Sequence, residues 1–148
     1  MVNYKTLCAQ MASLTENVSH EVANLANASA LIWQTLPEIN WAGFYKMEKG
    51  ILVLGPFQGK PACIEIPVGR GVCGAAVAED RTQLVYDVHE FPGHIACDSA
   101  SKSEIVVPVM RENQVFAVLD IDSPIKDRFS EREAVFLTQI ADLLAAKF

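Results

Sequence analysis

The sequence has no long apolar run, no run of Lys or Arg, no Cys-x2-Cys pair, no internal repeat and no low-complexity tract. Without a stretch of about 18 to 20 apolar residues the chain has nothing to lay across a bilayer as a helix. With 12 Lys and Arg against 18 Asp and Glu, a formal charge of -6, it offers no basic stripe to a nucleic-acid backbone. Met1-Val2-Asn3-Tyr4-Lys5 opens onto a polar segment, not onto a charged start and an apolar run, so no secretory signal is expected. The four cysteines, Cys8, Cys63, Cys73 and Cys97, are too few and too widely spaced to staple a secreted scaffold. These features predict a cytoplasmic protein whose cysteines rest as thiols. Structural zinc favours closely spaced pairs, which argues against a site built from Cys63, Cys73, Cys97 and His94. Gly69-Arg70-Gly71-Val72-Cys73-Gly74 is not followed by Lys-Ser or Lys-Thr, and reads as a tight turn before a helix instead of a phosphate loop.

What the chain does have is apolar mass. Half of its 148 residues are hydrophobic and a fifth are charged, which suits a folded core that needs no staples. A domain of this length buries roughly 70% of its unfolded surface, so one domain over 1–148 is expected. Val18, Val22, Leu25, Ile32 and Leu36 recur at helical spacing, with Ser19 as N-cap and Pro37 closing the segment. A shorter helix is expected around Cys8. Trp41 to Met47 and Ile51 to Phe57 flank Glu48-Lys49-Gly50 and predict a hairpin. Cys63 to Ile66 reads as a half-buried strand, Val72 to Glu79 as a helix, and Gln83 to Tyr86 as a short strand. Glu104 to Met110 and Val115 to Ile121 form a second hairpin, and Ser130 with Glu133 makes a capping box for a last helix ending near Lys147. Adjacent hairpins demand antiparallel pairing, so the fold class is α+β, a mostly antiparallel sheet covered by helices.

The segment from Asp87 to Lys102 is far longer than the usual loop of about 4 to 6 residues, a length typical of functional loops. It holds Cys97, three residues after His94 and beside Asp98, where an imidazole or loop N–H groups can favour the thiolate. Cys63 and Cys73 also lie in turn-rich surroundings; each of the three, taken singly, reads more readily as a buried small hydrophobe, from which Cys97 departs most, and His94 reads equally well as an ordinary loop histidine. Cys8, with Leu7, Met11 and Leu14 around it, reads as structural. Asp120 and Asp122 alternate with Ile121 in a strand and so leave one face, where two like charges push a proton affinity upward. Glu104 opens the neighbouring strand and reaches that face in one of the two possible registers.

Six stretches in order make the pattern specific: Gly55-Pro56-Phe57-Gln58-Gly59, Ala62-Cys63, Gly69 to Gly74, Phe91-Pro92-Gly93-His94-Ile95-Ala96-Cys97-Asp98, Ser103 to Pro108, and Leu119-Asp120-Ile121-Asp122-Ser123. Together with the Asn40 to Tyr45 strand they closely resemble the free methionine-(R)-sulfoxide reductases, stand-alone GAF domains, over essentially the whole chain. The resemblance implies a GAF fold and chemistry by thiols, with no bound metal or organic cofactor. It implies that Cys97 is the catalytic cysteine, Cys63 the main resolving one and Cys73 the third of the set. It further implies that Glu104, Asp120 and Asp122 contact substrate and that Trp41 shields its methyl end. The expected partners are free L-methionine-(R)-sulfoxide and, as electron donor, thioredoxin or another dithiol; relatives suggest a homodimer. Cys97 would attack the sulfoxide and become a sulfenic acid, and a second cysteine would close a disulfide. Paired carboxylates suit the ammonium group that a free amino acid has and a peptide residue lacks, while N–H groups near Gly93 or Cys97 are candidates for its carboxylate. A ligand-sensing GAF module and a thiol redox switch are the competing readings.

Overall fold

The computed structural model describes residues 1–95 and 97–148. Two helices, α1 (Tyr4–Thr15) and α2 (Glu21–Thr35), precede the hairpin β1 (Trp41–Glu48) and β2 (Ile51–Gly59). Short β3 (Glu65–Pro67), helix α3 (Gly71–Glu79) and β4 (Gln83–Val85) follow. A 3-10 turn at Val88–Glu90 begins the long segment, then come β5 (Ser103–Arg111), β6 (Gln114–Ser123) and α4 (Glu131–Ala145). The strands form one sheet in the order β3-β2-β1-β6-β5-β4, antiparallel throughout. The expected α+β architecture is what forms, and the reason is the two hairpins: each zips locally, and β1 then pairs with β6 to join them.

Alternation along the central strands divides the interior in two. Ala42, Phe44, Ile105, Val107, Leu119 and Ile121 point to the face covered by α1, α2 and α4, where Leu7, Met11, Ile32, Leu137 and Ile140 complete the larger core. Each of these large side chains contributes about 1.5–3 kcal/mol by leaving water. Trp41, Tyr45, Val106 and Val118 point the other way, onto α3 and the chain around Val88, and make a smaller core with Cys73 and Ala76. The second face is the thinner one and carries the polar residues discussed below.

Local chemistry sets the ends of these elements. Ser130 accepts from the Glu133 N–H and the Glu133 carboxylate accepts from the Ser130 N–H, the expected capping box. The same carboxylate accepts from Arg128 at 2.8 Å and from the Tyr4 hydroxyl, which ties the start of α1 to the start of α4. Gly71 opens α3 with φ +63, a left-handed conformation, and its N–H donates to the Gly93 carbonyl at 3.2 Å. That bond fastens the long segment to the helix. Gly43 is required for a different reason: a Cβ there would lie 2.3 Å from Phe57 Cβ, at the irregularity in the β1–β2 register.

Three expectations are corrected. The second helix starts at Glu21 with His20, not Ser19, at its N-cap; the entry is held instead by the buried Asn24 amide, which donates to the Val18 carbonyl at 2.9 Å. Val22 on that helix is 69% exposed, because Asn24, Ala28 and Ser29 occupy the buried stripe. The strand foreseen from Cys63 is only Glu65–Pro67, since Ile64 turns out to solvent and Cys63 turns toward Cys97. Cys63 and Cys97 are joined in a disulfide, whereas Cys8 and Cys73 are free thiols. Cys8 is half-buried between α1 and α4, with its sulfur 3.8 Å from the Phe136 carbonyl. No described helix is long and apolar enough to cross a membrane.

Candidate active site

The register that sequence leaves open is fixed by pairing. Glu104 on β5 lies directly opposite Asp122 on β6, and Asp122 in turn opposite Trp41 on β1. Asp120 sits two residues along, opposite Val106 and Gly43. Trp41, Glu104, Asp120 and Asp122 therefore share the thinly covered face, at the end of the sheet nearest the long segment. α3 adds Cys73 from above. The Cys73 sulfur and carboxylate oxygens of Glu104 and Asp120 all lie within 4.8 Å of one another, and all three residues are buried.

These side chains floor a pocket whose walls are Trp41, Tyr45, Ile66 and Val72 and whose rim includes Ala62, Ile95 and Cys97. About 40 Å³ of it is open to water-sized groups. Trp41 stacks on Phe57 at 5.1 Å and on Tyr45 at 5.9 Å, and its indole N–H donates to the Lys60 carbonyl at 3.1 Å. The Tyr45 hydroxyl donates to the Cys63 carbonyl at 2.8 Å, so the wall of the pocket also holds the cysteine at its rim. The Cys63–Cys97 bond, with a Cα separation of 5.7 Å, closes across 34 residues of chain.

Asn40, just before β1, anchors the Cys97 segment from the other side. Its amide donates to Asp98 Oδ2 and to Ser101 Oγ, both at 3.1 Å, and Asp98 Oδ1 accepts from the Ala100 N–H at 2.8 Å. The Cys97 N–H, a sequence candidate for holding a carboxylate, donates to the Ile95 carbonyl at 3.1 Å and is already used. His94 Nε2 is 3.9 Å from Glu104 Oε1, beyond hydrogen-bonding reach, and burial lowers the imidazole pKa below its ordinary value.

Electrostatics in the floor are governed first by burial. Glu104 is pushed well above the usual carboxylate range by desolvation first and then by the charges of Asp120 and Asp122. Asp122 is likewise raised, by desolvation and then by Asp120. Asp120 is raised by desolvation too, but its contacts with Glu104, Cys73 and Asp122 offset part of the rise. Of the three, Asp120 is the one whose neighbours favour its ionised form, and burial raises the proton affinity of all three. The Cys73 thiol is also raised, by burial and by Asp120, and stays protonated. Asp120 Oδ1 and Asp122 Oδ1 are buried without a hydrogen-bond partner among the described residues. Unpaired acceptors of this kind normally cost about 1–3 kcal/mol each, a cost that a proton held within the cluster or a donor arriving from outside relieves.

The GAF domain family model matches residues 10–148. The free methionine-R-sulfoxide reductase of Escherichia coli is 58% identical over 80% of this chain and 72% of its own. Among solved structures, the fRMsr of Staphylococcus aureus in its reduced form superimposes with a TM-score of 0.97, at 52% identity over 99% of this chain and 96% of that one. The free methionine-R-sulfoxide reductase from Neisseria meningitidis, solved in complex with its substrate, gives a TM-score of 0.95 at 42% identity over 98% and 87%. The chain belongs to the free methionine-(R)-sulfoxide reductase family of GAF domains.

Of the residues the sequence singles out, Cys97, Cys73, Glu104, Asp120, Asp122 and Trp41 line one pocket, and Cys63 is bonded to Cys97. Sequence reading passed over Tyr45 and Asn40. Tyr45 had a usable signal, since Trp41, Gly43 and Tyr45 alternate on one face of β1. Asn40 had none: its partners Asp98 and Ser101 are 58 and 61 residues away.

Proposed function

We propose that this chain, folded as one GAF domain over residues 1–148, is a cytoplasmic enzyme that reduces free L-methionine-(R)-sulfoxide to L-methionine. Family membership supports the reaction. The observation that carries its assignment to particular residues is the Cys63–Cys97 disulfide at the rim of a pocket floored by three buried carboxyl groups.

In the reduced protein Cys97 attacks the sulfoxide sulfur as thiolate while Glu104 or Asp122, whose hold on a proton burial strengthens, donates to the sulfoxide oxygen. The net step moves the oxygen onto Cys97 sulfur as a sulfenic acid, and the substrate sulfur leaves as the sulfide with its electron pair. The Cys63 thiol then attacks Cys97 sulfur; the S–O bond breaks, water departs with the Cys63 proton, and the disulfide forms. A dithiol such as thioredoxin returns two electrons by exchange. Cys73, buried and with its thiol pKa raised by that burial, is the less suited resolving thiol.

Asp120 holds the ammonium group of the substrate, and its unpartnered Oδ1 accepts one of the three ammonium protons. A methionine sulfoxide within a peptide has no ammonium to offer, and its flanking chain has no room at the floor. The stacked Trp41 supplies an apolar wall for the methyl end.

The test is methionine release from free R-sulfoxide with dithiothreitol or thioredoxin as reductant, run beside the free S epimer, an R-sulfoxide peptide and Cys97→Ser. Turnover of the free R epimer alone, lost in Cys97→Ser, is the expected result. Disulfide formation with peroxide but no methionine released would leave a redox switch as the better account. Tight binding of a small effector without turnover would favour a sensor.

A further inference from the structure

We propose that Cys73, Glu104 and Asp120 form a binding site for a thiophilic divalent cation, Zn2+ above all, and that the bound cation shuts substrate out of the pocket. The binding itself stands on geometry; only the exclusion of substrate rests on the proposed function.

The three ligand atoms come from three elements, α3, β5 and β6, and already lie within 4.8 Å of one another. Zinc bonds of about 2.3 Å to sulfur and 2.0–2.2 Å to oxygen place neighbouring ligands roughly 3.5 Å apart, a contraction that small side-chain rotations supply. The donors are 3%, 6% and 5% exposed, so no solvent shell has to be stripped from them when the ion arrives. Asp120 lines the pocket and its Oδ1 is buried with no hydrogen-bond partner among the described residues, as is the Oδ1 of Asp122. His94 lines the same pocket, with Nε2 3.9 Å from Glu104 Oε1.

Ligand type decides which ion. One thiolate and two carboxylates, with imidazole at hand, suit Zn2+ or Cd2+; Mg2+ and Ca2+ prefer six or more oxygen ligands and gain nothing from sulfur. On binding, the Cys73 thiol and the Glu104 carboxyl group each lose a proton to solvent, and no atom is oxidised or reduced. Cys73 is a free thiol while Cys63 and Cys97 are bonded, so the site persists in the oxidised protein. Asp120 cannot serve both a cation ligand sphere and a substrate ammonium group, and the two exclude each other.

The experiment uses oxidised protein, in which Cys63 and Cys97 cannot bind metal, on a Cys8→Ser background that removes the other free thiol. Zn2+ is titrated against a chromophoric chelator, and Co2+ is added separately to read the near-ultraviolet thiolate-to-cobalt absorption. The expected result is one equivalent of metal, with the cobalt band present, affinity at least 30-fold weaker in Cys73→Ala, and at least 10-fold weaker in Asp120→Asn. Circular dichroism of each variant establishes that it is folded, and Cys73→Ser provides a second thiol deletion of nearly equal volume. Absence of stoichiometric binding, or equal affinity in both folded Cys73 variants, would overturn the proposal. Because this readout needs no turnover, failure of the reductase assay would leave it standing, and the reverse also holds. In reduced, active enzyme the corresponding result is inhibition by Zn2+ that rising substrate relieves and chelator reverses; inhibition indifferent to substrate would overturn the exclusion.

Discussion

Replacing Glu104 by Gln keeps the shape and hydrogen-bonding capacity of a protonated carboxyl group while removing its titratable proton. In the folded chain Glu104 and Asp120 bring carboxylate oxygens within 4.8 Å of each other. Two unit charges at that separation repel by about 3.5 kcal/mol at an effective dielectric of about 20, so ionising both is disfavoured by a factor of several hundred. Burial adds to this, and the Glu104 and Asp120 pKa values in the folded state both lie above their unfolded values. The folded chain then binds more protons than the unfolded one. Its stability must fall as pH rises from the ordinary carboxylate range toward the raised values, and be fully present only below that range. Glu104→Gln should flatten this fall. Taking part of the repulsion as the gain, the variant should be more stable than wild type by about 1–3 kcal/mol at pH 8, and equal to it within about 0.5 kcal/mol at pH 4.5. At about 2–4 °C per kcal/mol for a chain of this size, the Tm rises by roughly 3–10 °C at pH 8. Turnover should drop about 100-fold if Glu104, one of the two proposed proton donors, is the one that acts, and far less if Asp122 does. Thermal and urea unfolding followed by circular dichroism at the two pH values decides it. A variant no more stable than wild type at pH 8, with an unchanged slope against pH, would refute the placing of a retained proton on this cluster.

Gly43→Ala should cost about 2–3 kcal/mol in urea unfolding, because the new Cβ meets Phe57 Cβ at 2.3 Å and backbone atoms at 2.7 and 2.9 Å. Tyr45→Phe deletes the hydrogen bond that steadies the Cys63 backbone; stability should fall by about 1 kcal/mol, and disulfide closure in a single-turnover thiol count should slow while methionine release in the first turnover does not. Ser130→Ala removes half of a capping box and should lower stability by about 1 kcal/mol with kcat unchanged. Trp41→Leu loses both ring stacks and the bond to Lys60, and KM for the free sulfoxide should rise about tenfold as the apolar wall recedes, measured in the methionine-release assay.

How far the site was legible depended on how local its causes are. The spacing of two between Asp120 and Asp122 settled that they share a face, because strand alternation is a property of the backbone alone. Whether Glu104 joins them was not settled, since a slip of one residue in β5 would turn it to the opposite core; the pairing with Asp122 is enforced by Ile105 and Ile121 packing together under the helices. The capping box at Ser130 was readable because both partners lie within one helical turn. The cap at Ser19 was misread for a related reason: a side chain reaching back from within the helix, Asn24 to the Val18 carbonyl, fixed the entry instead of a residue at its start.

By itself the sequence determined the elements, the antiparallel pairing of the hairpins and the residue types from which thiol chemistry is made, because propensity, alternation and turn composition act over a few residues. Tertiary structure alone decided which of those residues meet. Cys63 and Cys97, 34 residues apart, are joined at the rim because Tyr45 holds one and Asn40 the segment carrying the other. Cys73 enters the carboxylate floor from α3, and only the packing of that helix on the thin face of the sheet shuts out the water that would otherwise leave three carboxyl groups ionised.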